Sequence, residues 1–254
     1  MPWNPDVYNQ FKNIRFKPFF DLSDLIQNEG DMKAIDLGCG TGEQTAILAE
    51  RFEKAHFTGI DSSAEMLEKS KNLESKNLHF RQSTTEEILD RDESWDLIFS
   101  NAALQWSDDH HKLFPKLISK LTAKGQLAIQ MPYQPENILN KILFEMGNEE
   151  PFKTQLNHWN RASAVLSVDE YAQILFENGL EDLNISQKVY PIIAEDHETL
   201  FNFISGSALI PYLERLNKEN QQTFINEFQK RIAFAFPKLP ALYSFKRILM
   251  YGRK

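Results

Sequence analysis

The sequence lacks a second cysteine, long apolar runs and an excess of positive charge, and each of these absences excludes a class of protein. Cys39 alone cannot form an internal disulfide or a cysteine-rich zinc site. A net charge of −8 argues against duplex nucleic acid as the main partner. The apolar runs are too short to span a membrane, and the first residues lack the features of a secretory signal. We therefore expect a cytoplasmic protein that binds a small molecule, with no nucleic-acid or membrane partner.

The length and composition support a substantial core within one domain. The chain has 254 residues, of which 42% are hydrophobic, which is enough apolar material for a single large domain or two small ones. No glycine-serine linker, internal repeat or low-complexity tract divides it. The sequence therefore predicts one domain over residues 1–254, with insertions.

Short apolar runs alternate with amphipathic segments between Lys33 and Met131. The predicted strands are 34–37, 57–60, 78–80, 96–99 and 127–131, and the predicted helices are 43–53, 63–73 and 109–121. This alternation is typical of βαβ units, which build a mostly parallel sheet with helices on both faces. Ser62 to Glu65 has the spacing of a capping box. Pro115 predicts that the helix over 109–121 either begins later or is kinked.

Helical patterns dominate the chain beyond Pro132. The predicted helices are about 136–148, 167–178, 197–216 and 218–236, and two further strands, 183–192 and 245–252, bring the sheet to seven. Ser167 to Glu170 forms a second capping-box pattern, and Gly179 stands at a helix C-cap. We expect the additional helices to form a lid, the alternative being that they only add packing layers.

Three of the ten glycines fall within five residues, at Gly38, Gly40 and Gly42, between a predicted strand and a predicted helix. Glycine allows a sharp turn or a close approach to a ligand, and a helix N-terminus presents unpaired amides beside it. A plain strand-to-helix turn is the alternative. A dinucleotide fingerprint would need another glycine where Glu43 stands, and a carboxylate there repels a pyrophosphate. The loop therefore favours a nucleoside ligand that carries amino or cationic groups instead of phosphates.

The segment AIDLGCGTG, followed by Asp61 in GIDSS, resembles the glycine-rich motif of class I S-adenosylmethionine-dependent methyltransferases. The resemblance implies a Rossmann-like fold, S-adenosylmethionine as cofactor, a cofactor-binding half over 1–131, and a second half over 132–254. It also implies that Asp61 holds the ribose hydroxyls. Family members often place an acid after the third strand to bind the adenine, where this chain has Ser83, Thr84 and Thr85. The implied cofactor-binding residues are Asp36, Gly38, Gly40, Gly42, Asp61, Ser62, Met66, Thr84, Thr85 and Asn101.

A narrower resemblance concerns the methyl acceptor. The segments WNPDVYNQF, DLIFSNAALQW, LAIQMP, SALIPYLERL and FKRILMYGRK together resemble the trans-aconitate 2-methyltransferases. This implies methyl esterification of a carboxylate of a small polycarboxylic acid such as trans-aconitate. A carboxylate is already ionised at neutral pH, so the reaction needs positioning and not a general base. We therefore nominate no catalytic proton-transfer residue.

No metal site is expected either. His110 and His111 are adjacent, and neighbouring positions on a helix point in different directions, so a shared metal is not predicted. We interpret both as solvated histidines at the start of a helix.

An anionic substrate in an acidic protein requires a local positive group, for which arginine is best suited. Arg247 is the first candidate by resemblance, and Arg215 and Arg15 are the alternatives. Close relatives often have an arginine where this chain has Ile210, which weakens the case for a tricarboxylate. The residues expected on the substrate side are Tyr8, Gln105, Trp106, Tyr212 and Arg247.

Two other functions remain open at this stage. One is a carboxyl methyltransferase similar to those that act on a malonyl-acyl-carrier protein, which would dock an acidic carrier on a basic surface. The other is a module that binds the cofactor without turnover. One fold hosts many acceptors, so the fold does not choose between them. The oligomeric state is likewise left open.

Overall fold

The computed structural model describes residues 12–254, with side chains from residue 16 onward. These residues form a seven-stranded sheet in the order β3-β2-β1-β4-β5-β7-β6. The strands are β1 (Lys33–Leu37), β2 (His56–Asp61), β3 (Leu78–Gln82), β4 (Trp95–Asn101), β5 (Leu121–Pro132), β6 (Glu181–Ala194) and β7 (Ala241–Arg253). Strands β1 to β5 pair in parallel, whereas β7 is antiparallel to β5. The predicted mostly parallel, Rossmann-like sheet is confirmed.

The helices alternate with the strands as predicted, and the structure contains further helices that were not predicted. They are α1 (Lys12–Ser23), α2 (Glu43–Arg51), α3 (Ala64–Ser70), α4 (Thr85–Leu89), α5 (His110–Ser119), α6 (Ile138–Asn148), α7 (Phe152–Gln155), α8 (Val168–Glu177), α9 (His197–Ser205), α10 (Ile210–Leu213) and α11 (Lys218–Ala235). Helices α1, α4 and α7 were not predicted. The single helix predicted over 197–216 is wrong, because the chain leaves the helix at Gly206 and resumes it at Ile210.

The chain divides into two compact units. We call residues 17–132, 164–188 and 247–254 the sheet unit, and residues 133–163 and 189–246, with the described residues 12–16, the helical unit. One change of unit falls between Pro132 and Tyr133, where the sequence begins to show mainly helical patterns. The predicted single domain and the predicted lid remain predictions.

The helical unit has its own hydrophobic core. Aromatic rings pack against one another within it: the Phe152 and Phe224 rings lie 4.8 Å apart edge to face, and the Tyr212 ring stacks on Phe224 at 5.5 Å. Edge-to-face and stacked pairs are the favourable arrangements of such rings. These helices therefore bury an apolar face among themselves.

Helices α5 and α8 pack together in the sheet unit through Phe114 and Tyr171, whose rings are 4.7 Å apart. His110, at the start of α5, is buried beside them, so the interpretation of His110 as a solvated histidine is wrong. Its Nε2 lies 2.9 Å from the Leu104 carbonyl oxygen and its Nδ1 lies 2.5 Å from the Tyr171 hydroxyl. A carbonyl only accepts, so we place the imidazole hydrogen on Nε2, and Nδ1 accepts from Tyr171. Burial lowers the pKa of His110 and favours this neutral form.

The helix ends agree in part with the sequence signals. The Ser167 and Glu170 capping box is present, and Gly179 ends its helix with a φ of +80°. The capping box predicted from Ser62 is wrong, because Ser63 is the N-cap and accepts the Met66 amide. The later start considered for the helix around Pro115 is also wrong, since α5 begins at His110 and contains Pro115.

No helix in the described part of the chain combines the length and the apolar character that crossing a membrane requires.

Replacing Tyr171 with phenylalanine should lower the free energy of unfolding by about 1–3 kcal/mol. The variant leaves Nδ1 of buried His110 without its donor, and it removes the oxygen that accepts the Leu166 amide at 3.2 Å. Urea denaturation would measure the loss. Ser119→Ala, which removes an exposed hydroxyl at the end of α5, should change the value by less than about 0.5 kcal/mol. An equal effect of the two variants would contradict the role of Tyr171.

Candidate functional site

The glycine loop, residues 38–42, joins β1 to α2 at the carboxyl end of the sheet. The amides of Gly38 and Cys39 both donate to the Ile60 carbonyl oxygen at 2.8 Å, which attaches the loop to the end of β2. In open α/β sheets this edge is where ligands bind. The predicted glycine cluster therefore lies at the expected place in the fold.

Gly38 and Gly40 face different surroundings within this loop. A Cβ atom on Gly38 would lie 2.2 Å from the Cβ of Ala103, so a side chain there would collide with the segment after β4. A Cβ on Gly40 would have no heavy atom within 4 Å. Gly40 has a φ of +57°, which glycine adopts with little strain. The backbone at Gly40 is thus open to a ligand, while Gly38 permits close packing.

Asp61, the last residue of β2, connects the loop to the next helix. Its Oδ2 accepts the Gly40 amide at 2.9 Å and its Oδ1 accepts the Ser63 amide at 2.8 Å. Each carboxylate oxygen has a second lone pair for a further donor. Ser62 and Met66 follow with exposed side chains. Asp61 therefore fixes the loop and presents acceptor positions at the same edge.

Asp36, in β1 just before the loop, has a buried side chain. It is 3% exposed, and its Oδ2 accepts the Thr45 hydroxyl at 2.6 Å. Burial raises the pKa of Asp36 to about 7, against the opposing effect of the Thr45 hydrogen bond. This carboxyl therefore changes its charge near neutral pH.

Cys39 occupies the middle of the loop sequence between Gly38 and Gly40. Burial is the main cause that raises the pKa of its thiol, and the nearby Asp36 and Asp61 add to it. The thiol is therefore in its neutral form at physiological pH.

The segment after β3 forms an N-terminal cap on α4. Thr84 accepts the Glu87 amide at 3.2 Å, while Glu87 accepts the Thr84 amide at 3.0 Å and the Ser83 hydroxyl at 2.8 Å. The amide and hydroxyl hydrogen bonds lower the pKa of Glu87. Sequence reasoning missed this cap, although Thr84 and Glu87 have the capping-box spacing. Thr85 is the first residue of the helix and is half-buried.

Asn101 ends β4 beside the loop. Its Nδ2 donates to the Gln44 Oε1 at 2.8 Å, which joins β4 to α2. Its Oδ1 is buried and has no hydrogen-bond partner in the described structure. A buried acceptor without a donor costs free energy, so the site suits a ligand that carries an N–H or O–H group.

A short turn, Leu104–Trp106, carries two of the predicted substrate-side residues. Gln105 is buried, and its Nε2 donates back to the Ala102 carbonyl oxygen at 2.7 Å. Trp106 is 39% exposed. His110 holds the turn through the Leu104 carbonyl, as described above, so a buried imidazole supports the segment that carries Gln105 and Trp106.

Arg247 lies in β7 within the sheet unit and is only 6% exposed. Its Nη1 donates to the Gln130 Oε1 at 2.6 Å, and Gln130 is fully buried in β5. Sequence reasoning missed Gln130, since only the strand register places it on this face of the sheet. A buried guanidinium at the end of parallel strands is the kind of group that recognises a carboxylate.

Three of the remaining residues named from the sequence, Tyr212, Arg215 and Ile210, belong to the helical unit. Tyr212 is in the core of the helical unit, where its hydroxyl donates to the Asn160 Oδ1 at 2.7 Å. Arg215 lies in the same unit with its guanidinium 3.8 Å from the Trp159 ring centroid, and Ile210 begins α10. Tyr8, and the side chain of Arg15, lie outside the described residues. Among the side chains that are described, no three His, Cys, Asp or Glu residues are arranged to hold a metal ion.

Comparison with known proteins agrees with this geometry. The family profile described as a methyltransferase domain matches residues 28–197. The chain is 40% identical over 260 residues to a trans-aconitate 2-methyltransferase of Deinococcus radiodurans, covering 100% of this chain and 99% of that protein. It is 31% identical to a trans-aconitate 2-methyltransferase of Escherichia coli O1:K1 / APEC, covering 99% of this chain and 98% of that protein. The YcgJ protein of Bacillus subtilis has the same fold, with a TM-score of 0.59, 18% identity and coverage of 94% of this chain and 98% of that one.

The contribution of Asp36 to the free energy of unfolding should fall as the pH rises from about 4 to about 7, because folded Asp36 retains its proton up to about 7 while the unfolded state loses it near the ordinary value of 3.8. In the Asp36→Asn variant, the decline in the free energy of unfolding over this pH range should be smaller by roughly a few kcal/mol. Urea denaturation at pH values across that window would measure it. Thr45→Val removes the hydroxyl that favours the charged form, so the decline should then extend above pH 7. Identical pH profiles for all three proteins would contradict the assignment.

Proposed function

Because this chain belongs to the family of S-adenosylmethionine-dependent methyltransferases, we propose that it methylates a carboxylate of a small polycarboxylic acid such as trans-aconitate. The observation that carries the proposal is the full-length similarity to the trans-aconitate 2-methyltransferase of Deinococcus radiodurans. The open backbone at Gly40, held by Asp61, supplies the place where the cofactor would bind.

The residues of the glycine loop fit S-adenosylmethionine. Gly40 leaves room at the loop, the second lone pairs of the Asp61 oxygens suit the ribose diol, and the buried Asn101 Oδ1 suits an N–H donor of the amino-acid part. Ser62 and Met66 would border the same region, and Thr84 and Thr85 the adenine. With Glu87 engaged in the α4 cap, backbone and hydroxyl groups are left to hold the adenine. When bound, the cofactor supplies the electrophilic methyl group of its sulfonium.

The chain's own residues then need to bind and orient the acceptor. A carboxylate is ionised at neutral pH, so the protein is not required to remove a proton. Its contribution is to hold the acceptor oxygen in line with the methyl group and to exclude water. Arg247 would bind a carboxylate of the acceptor, and Trp106 and Gln105 would line the acceptor's site. Roles for Tyr8 and Tyr212 toward the acceptor stay predictions.

Methyl-labelled S-adenosylmethionine is incubated with a panel of acceptors that contains small carboxylic acids and a malonyl-acyl-carrier protein. The reaction should give a methyl ester of trans-aconitate or a related polycarboxylate. The expected result is label in a methyl ester, and alkali should release this label by hydrolysing the ester. Label found only on a malonyl-acyl-carrier protein would replace the proposed acceptor with a carrier-bound one. Cofactor binding without any transfer would instead make the protein a module without turnover.

Gly40→Ala should weaken S-adenosylmethionine binding by at least about tenfold, because the added Cβ occupies the opening at the loop. Isothermal titration calorimetry would measure the dissociation constant. Gly30→Ala is a matched control: Gly30 has a φ of +83°, and a Cβ added there would also have no heavy atom within 4 Å. Both substitutions put a side chain on a left-handed backbone, at about 1–2 kcal/mol of strain. A similar loss of affinity in both variants would assign the effect to stability and not to the loop.

A further inference from the structure

Two buried glutamines on one face of β5 differ in how their side-chain amides are paired. Gln126 and Gln130 are four residues apart on the same strand, so their side chains point to the same face of the sheet. They are 1% and 0% exposed. A buried amide normally has partners for both its oxygen and its nitrogen. The two residues therefore provide an internal comparison.

Gln126 is fully paired within the protein. Its Oε1 accepts the Gln27 amide at 2.8 Å and the Tyr251 hydroxyl at 3.0 Å. Its Nε2 donates to the Gln27 carbonyl oxygen at 2.9 Å. These hydrogen bonds attach the segment after α1 to β5, so Gln126 has a structural role.

Gln130 is only half paired. Its Oε1 accepts from Arg247, whereas its Nε2 has no hydrogen-bond partner in the described structure. A buried donor left unpaired costs about 1–3 kcal/mol, a cost that an apolar side chain at this position would avoid. A glutamine here is therefore better explained by a partner that arrives from outside the chain than by the packing of the sheet.

The surroundings of Gln130 define the chemistry of that partner. Gln130 lies level with Leu249 of β7, and Arg247, two residues away from Leu249, shares its face. The Gln130 oxygen accepts from one nitrogen of the Arg247 guanidinium at 2.6 Å, so the amide and the guanidinium lie next to each other. A planar guanidinium with a neighbouring amide donor is complementary to a carboxylate.

We propose that Gln130 is a substrate-recognition residue: its Oε1 orients Arg247, and its Nε2 donates a hydrogen bond to the carboxylate that Arg247 binds. This assignment rests on the proposed function and adds to it. It gives the acceptor's second carboxylate, the one that does not receive the methyl group, a site made of Gln130 and Arg247. Asn101 lies level with Gln130 on the neighbouring strand β4, but its unpaired atom is the oxygen Oδ1. An oxygen cannot donate a hydrogen bond to a carboxylate, so Asn101 does not share the role of Gln130.

The test measures binding of propane-1,2,3-tricarboxylate and of trans-aconitate by calorimetry, with S-adenosylhomocysteine present so that no methyl group is transferred. Gln130→Met keeps the length of the side chain and removes the amide. It should weaken carboxylate binding by about tenfold to a hundredfold, the loss expected for a hydrogen bond to a charged group. The affinity for S-adenosylhomocysteine should change by less than about twofold. The variant removes an unpaired buried donor but also the acceptor of the buried Arg247 Nη1, so its melting temperature serves only to show that the protein folds.

Gln126→Met is the matched control on the same strand and face. It should lower the melting temperature, because it removes several satisfied hydrogen bonds, and it should leave carboxylate affinity within about threefold of the wild type. A second variant, Gln130→Glu, keeps an acceptor for Arg247 but replaces the donor with a negative charge. Gln130→Glu should weaken carboxylate binding at least as much as Gln130→Met does. It takes the place of Gln130→Met in the test if that variant does not fold.

Two results would overturn the inference. One is a wild-type protein that binds neither carboxylate, and the other is undiminished binding in both Gln130 variants. Failure of the proposed function has a different signature: the wild type binds a carboxylate in a manner that depends on Gln130 but transfers no methyl group to any polycarboxylate. In that case the carboxylate site stands and the reaction assigned to it does not.

Discussion

The hydrogen bonds of Asp61 are the constraint on which the arrangement of the site depends. One carboxylate accepts amides from the loop after β1 and from the start of α3, so a single side chain fixes two segments at the edge of the sheet. The neighbouring loop amides are attached to the same strand through Ile60. The backbone at Gly40 is thereby held in position before any ligand binds, which reduces the entropy that binding must overcome.

Local sequence patterns predicted the sheet well and some helices poorly. Buried parallel strands produce short apolar runs, and the glycines mark the loop between β1 and α2, so these features can be recognised from neighbouring residues alone. The break between α9 and α10 could not, because the apolar pattern continues across Gly206 to Leu209. His110 was misjudged for a related reason: its burial depends on Tyr171, which lies 61 residues away in the chain.

The same distinction separates the predicted site residues from those that were missed. The glycines lie within five residues after β1, and Asp61 ends the next strand, so their common position follows from the order of strand, loop, helix and strand. Gln130 and Arg247 are 117 residues apart and meet only because β7 runs antiparallel to β5 in one particular register. Periodicity identifies a strand but does not give its register with a partner. The acceptor side of such a site is therefore harder to find from sequence than the cofactor side.

The half-buried thiol in the glycine loop has a chemical consequence for an enzyme of this family. The sulfonium cofactor is an alkylating agent, and a thiolate is a far stronger nucleophile than a thiol. Cys39, the protein's one cysteine, adjoins Gly40 in sequence, and its raised pKa keeps it protonated. The partial burial of Cys39 therefore lowers the fraction of the reactive thiolate form in the loop.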